Sequence, residues 1–169
     1  AWDVASAEIS ASTFIGNVAT AGDGGAIEAA GTLSVTGSEF SANTAYGGVG
    51  GAIDSWACYG DCVSLSGNRF VDNEAADGGA VHAFGGGTTS IGDTFERNSA
   101  TSGDGGAIRA GGSATISDGT FVSNSAAGYG GAVEAAGSIW LTDSAFADDS
   151  AGLDGGAAHS YNGAITTTR

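Results

Sequence analysis

Lysine, proline and methionine are all missing from this 169-residue chain, and 4 basic residues face 19 acidic ones, a net charge of −15. A surface of that sign cannot release counterions from phosphate, which excludes nucleic acid and anionic membrane surfaces as partners. Without proline, and without glycine at every third position, collagen is excluded. No apolar run reaches the ~18 residues that a membrane-spanning helix needs. No basic segment followed by an apolar one opens the chain, so no signal peptide is expected. Cysteine occurs only 2 times, in Cys58-Tyr-Gly-Asp-Cys62. A local disulfide formed in an oxidising compartment is preferred over free thiols, and zinc would need more ligands than this segment offers.

What is abundant is small. Glycine supplies 32 residues, and alanine and serine are common, so a core built from this chain must be narrow, with backbone close to backbone. A disordered acidic chain is excluded because 41% of the residues are hydrophobic and they recur periodically.

Two markers repeat in phase. Gly-Gly stands at 24–25, 50–51, 78–79, 105–106, 130–131 and 155–156, and phenylalanine at Phe14, Phe40, Phe70, Phe95, Phe121 and Phe146. The phenylalanines are 26, 30, 25, 26 and 25 residues apart. Each of the first five opens Phe-x-x-Asn-x-Ala, giving Asn17, Asn43, Asn73, Asn98 and Asn124, and the sixth carries Asp149 instead. The longest interval contains both cysteines, which places an inserted loop around residues 55–63. Between the markers, apolar residues alternate with polar ones, as in Leu33/Val35, Val63/Leu65 and Ile139/Leu141. Alternation over so few residues indicates strands, and no 3.6-residue period is sustained.

Three short strands per coil cannot bury a face alone, whereas stacked copies bury a continuous core. The chain is therefore expected to be a single all-β domain over residues 1–169. Its predicted architecture is a right-handed parallel β-helix (β-solenoid) of about six coils of ~25 residues. Gly-Gly supplies the positive φ and the close approach of a corner. Like residues then stack in columns.

The combination of Gly-Gly-Ala-Ile (Gly24-Gly25-Ala26-Ile27, Gly105-Gly106-Ala107-Ile108) with five copies of Phe-x-x-Asn resembles the polymorphic outer-membrane-protein repeat. Asp149 for asparagine and Ala158 for isoleucine depart from it. The resemblance implies a right-handed parallel β-helix displayed outside the cell, with adhesive or structural work, and it names no single ligand.

Several columns are candidate sites. The asparagine column, ending in Asp149, reads as a structural amide ladder, with exposed Phe-x-x-Asn binding as the alternative the resemblance allows. Glu28, Asp54, His82, Arg109, Glu134 and His159 follow the Gly-Gly-Ala-x corners, and alternation places them outside, as a mixed-charge ladder or as a catalytic or metal site around His82 and Asp54. Asp23, Asp77, Asp104 and Asp154 precede Gly-Gly as ordinary turn residues. Asp77 and Asp104 are also candidate calcium ligands. Trp140 should face out between inward Ile139 and Leu141. Trp56 sits beside Cys58 in the inserted loop, and Trp2 lies near the start. Exposed aromatics suit sugar or protein contact, or packing of the loop on the wall.

Ala1-Trp2-Asp3-Val4 enters just before the second strand of coil one, and Ile165 and Thr167 align with Leu33 and Val35. Uncapped coils expose sheet edges, so self-association through open solenoid ends is expected, within a longer array or as a head-to-tail fibre. No catalytic residue is assigned. An extracellular adhesive or structural module, with a host-surface or carbohydrate ligand, is favoured. A filament subunit without adhesive work and a carbohydrate-active β-helix enzyme are the alternatives.

Overall fold

The computed structural model describes residues 6–169. The expectation for Ala1–Val4, including Trp2, lies outside the described residues. Every regular element described is a short strand, and the strands form four parallel sheets, one of seven strands and three of six. The first sheet runs from Ser6–Ser10 through Thr32–Thr36 and onward, coil by coil, to Ile165–Thr168. The second holds the phenylalanines, from Thr13–Ile15 to Ala145–Ala147. The third consists of two-residue strands from Val18–Ala19 to Ser150–Ala151. The fourth runs from Ile27–Ala30 to Ala158–Ser160. Each strand pairs with its counterparts in the coils before and after it, as Phe70 does with Phe40 and Phe95. The chain is a parallel β-solenoid.

A coil therefore has four strands where three were expected. Two left-handed residues explain the difference. One stands three positions before each phenylalanine (Ala11, Gly37, Gly67, Gly92, Asp118, Asp143), and one two positions after it (Gly16, Ala42, Asp72, Arg97, Ser123, Asp148), with φ between 45° and 65° at all twelve. The second bends the chain just before asparagine, after which extended pairing resumes for two residues. Outside glycine this conformation costs about 1 kcal/mol or more per residue. The coil-to-coil hydrogen bonds on both sides hold it.

The core is a set of columns. The six phenylalanine rings stack with centroids 4.7–4.8 Å apart and planes within 8° of parallel. Phe40, Phe70, Phe95 and Phe121 are fully buried, whereas Phe14 and Phe146 in the terminal coils are half-buried. Ile53, Val81, Ile108 and Val133 form a second buried column, and Val63, Leu65, Ile116 and Ile139 fill the first sheet's inner face. Coil four departs from the apolar pattern. Thr88 and Ser90 take the inward places while Ile91 faces solvent, because the phenylalanine register fixes which residues point in.

The two glycines of each corner have different duties. Gly50 has φ 66°, and Gly51 packs so closely that a Cβ there would stand 2.1 Å from the Gly79 carbonyl oxygen of the next coil. The insertion is shorter than expected. Ile53–Trp56 and Asp61–Ser66 are strands, so only residues 57–60 are added, lengthening one turn. Cys58 and Cys62 form a disulfide there, both buried, with Cα atoms 5.6 Å apart. Cys62 Sγ occupies the place where a side chain on Gly86 would begin.

Candidate functional site: polar columns inside and outside the coil

The asparagines form a continuous internal ladder. Asn43 Oδ1 accepts hydrogen bonds from the Asn17 backbone N–H (3.0 Å) and from Asn17 Nδ2 (2.8 Å). Asn43 Nδ2 in turn donates to the Phe14 carbonyl (3.0 Å) and to Asn73 Oδ1 (2.9 Å). Asn73, Asn98 and Asn124 repeat the pattern, and all four from Asn43 onward are fully buried. Satisfying every amide atom is what makes so buried a polar column tolerable. Asp149 receives the two donors of Asn124 at its Oδ1 but has no N–H to return. Its Oδ2 is buried without a hydrogen-bond partner, and burial raises its pKa above the usual aspartate value.

A second ladder lies two residues before each phenylalanine and was not read from the sequence. The Ser12 backbone N–H donates to Ser38 Oγ, that of Ser38 to Asn68 Oδ1, that of Asn68 to Asp93 Oδ1, and that of Gly119 to Ser144 Oγ. Its members differ in type, so no single letter recurs, but the fixed offset from phenylalanine was available. Asp93 is buried, and burial lifts its pKa against the donors Ser90, Asn68 and the Ile91 N–H.

The third column faces outward and corrects the expectation made for it. Glu28, Asp54, His82, Arg109, Glu134 and His159 are in register, yet Asp54, His82 and Glu134 are only 2%, 7% and 3% exposed. Alternation correctly points them away from the core. The chain leaving the third sheet then loops beside them before returning through Gly-Gly. Tyr129 in this loop stacks on His159 at 4.6 Å, and Asp77 Oδ2 lies 3.8 Å from Arg109 Nε.

Charges in this covered strip are arranged in pairs. His82 Nδ1 lies 2.7 Å from Asp54 Oδ1. Arg109 Nη1 is 2.6 Å from Glu134 Oε2 but directs its hydrogen bond to the Ala110 carbonyl, so that contact is an ion pair without an aligned hydrogen bond. Burial pushes Glu134 up to about 7, with Arg109 opposing and Asp104 and Asp77 adding to the rise. Three of the four turn aspartates accept a backbone hydrogen bond from the next coil. Asp23 Oδ1 accepts from the Val49 N–H, Asp77 Oδ1 from the Asp104 N–H and Asp104 Oδ1 from the Tyr129 N–H. Among the described residues no group of three or more His, Cys, Asp or Glu side chains is placed to hold a metal ion. Arg69 and Arg97 make exposed ion pairs on the second sheet's outer face, Arg69 with Glu39 and Glu96 and Arg97 with Asp72 and Glu96. Trp56 and Trp140 are both about half-exposed.

Six in-register coils of one repeat, held by internal amide and aromatic ladders, define a β-solenoid repeat protein. The family model for the Chlamydia polymorphic membrane protein repeat matches residues 11–30, the part of the first coil that contains Phe14, Asn17 and Gly24-Gly25-Ala26-Ile27. Over those residues the chain is similar to that repeat, and as a whole it is a parallel β-solenoid. No curated protein and no solved structure matches it.

Proposed function

We propose that the chain is an extracellular, bacterial cell-surface module with adhesive or structural work and no catalytic activity. The observation that carries this is the repeat itself, which is that of a surface-protein family and which directs the recurring Phe-x-x-Asn residues inward to build the rod. Contact is then left to the outer faces, which are acidic and carry half-exposed aromatics. An extended, evenly spaced wall suits polyvalent contact, in which weak sites add through effective concentration. The test is adhesion of beads coated with the purified chain to candidate host-cell surfaces, against beads coated with an unrelated acidic protein. Retention no better than the control would overturn the reading.

A second reading follows from the terminal coils. Phe14 and Phe146 are half-buried where Phe40, Phe70, Phe95 and Phe121, stacked between them, are covered, and Leu141 and Phe146 line an open groove beside Thr167 and Thr168. Further coils, of this chain or of a second copy, would cover those faces and extend the ladders. Electron microscopy at rising concentration tests it, and rods of constant short length would exclude end-to-end growth of this chain.

A further inference from the structure

Trp56 and Phe84 are neighbours on the outward side of the fourth sheet. Ala83 pairs with Ser55, and the Phe84 N–H continues the ladder by donating to the Ser55 carbonyl at 2.8 Å. Both rings are substantially exposed, and both residues line a cavity of about 280 Å³. Asp23 and Val49, from the covering loops, and Glu28, Asp54 and His82 complete its lining.

The floor is built yet incompletely used. Asp54 is nearly buried, and its one side-chain hydrogen bond among the described residues joins Oδ1 to His82 Nδ1. Asp54 lines the cavity, and among the described residues its Oδ2 receives no hydrogen bond. Three carboxylates, those of Asp23, Glu28 and Asp54, surround the space against a single imidazole. The nearest cation in the column, Arg109, is engaged with Glu134 and Asp77. A site with negative charge at its base and aromatic faces at its side attracts a cation on both counts. A guanidinium fits best, since its plane stacks on an indole while its edge meets a carboxylate.

We propose that this cavity receives an arginine side chain of a partner polypeptide, stacked against Trp56 and Phe84 and paired with Asp54 Oδ2 and Glu28. The proposal deepens the surface-contact reading by naming the chemistry contacted. The experiment is an NMR titration of the purified chain with N-acetyl-arginine amide, following the Trp56 indole and His82 ring resonances, with maltose as the neutral probe. Saturable shifts confined to these residues are expected with the arginine compound. Trp56→Leu and Glu28→Gln should each weaken binding roughly threefold or more. Glu28 is exposed, so its variant tests the charge without endangering the fold. Non-saturating shifts unchanged in both variants would mean diffuse attraction to an acidic chain and would overturn the proposal, as would saturable binding of maltose alone. The two readings fail separately. Adhesion lost with arginine binding intact removes the adhesive reading only, and adhesion intact with no arginine binding removes this site only.

Discussion

Replacing Asp149 by asparagine should stabilise the protein at neutral pH. Asn43, Asn73, Asn98 and Asn124 each return a hydrogen bond to the phenylalanine carbonyl of the preceding coil at 3.0–3.1 Å. Asp149 accepts from Asn124 in the usual way, but its Oδ2 is buried with no donor. An amide there supplies the missing N–H toward Phe121 and removes a buried unsatisfied oxygen, a gain of about 1–3 kcal/mol. The gain must depend on pH. Burial raises the native pKa of Asp149 above the usual aspartate value, so the folded state holds the proton more tightly than the unfolded one. The stability this confers is fully present below the unfolded pKa and is lost as pH rises through the folded one. When protonated, Asp149 presents an O–H where asparagine presents an N–H. Urea unfolding of Asp149→Asn and the parent across pH 3–8, with amide exchange on the last two coils, should give a small difference at low pH that widens as pH rises. Equal stability at pH 7, or a difference that shrinks with rising pH, would refute the ladder argument.

Glu134 imposes a second pH dependence. With its ordinary value of 4.5 pushed up to about 7 by burial, its contribution should fall progressively between those pH values and level off above them, and Glu134→Gln should flatten that part of the stability curve. Removing the disulfide by Cys58→Ser and Cys62→Ser should cost about 2 kcal/mol on loop-closure entropy in urea unfolding, with the solenoid retained. Gly51→Ala and Gly16→Ala should separate close approach from φ. The first meets the Gly79 carbonyl at 2.1 Å and should prevent coil stacking, whereas the second has open space at φ 65° and should cost only about 1 kcal/mol by thermal unfolding.

The solenoid was legible because two markers, Gly-Gly and Phe-x-x-Asn, keep phase over the whole chain, and phase is what stacking requires. The four-strand coil was not. Two-residue strands such as Thr44–Ala45 are too short to show alternation, and the bends before them use Gly16, Ala42, Asp72, Arg97, Ser123 and Asp148, which share no single residue type. The burial of Asp54, His82 and Glu134 was hidden for a different reason. Alternation reports which face of a strand a residue occupies, and here a loop covers the outer face as well. Trp56 and Phe84 were obscured similarly. They are 28 residues apart in sequence, and only the register, which the longer turn at 57–60 offsets, makes them neighbours.

The central claim is that each coil hydrogen-bonds in parallel to the next through residues one repeat apart. Through-hydrogen-bond scalar couplings measure this directly. Correlations are predicted from the amide of Thr44 to the carbonyl of Asn17, from Glu74 to Asn43, from Ser99 to Asn73 and from Ser125 to Asn98. Couplings that instead joined adjacent segments in antiparallel hairpins would contradict the account.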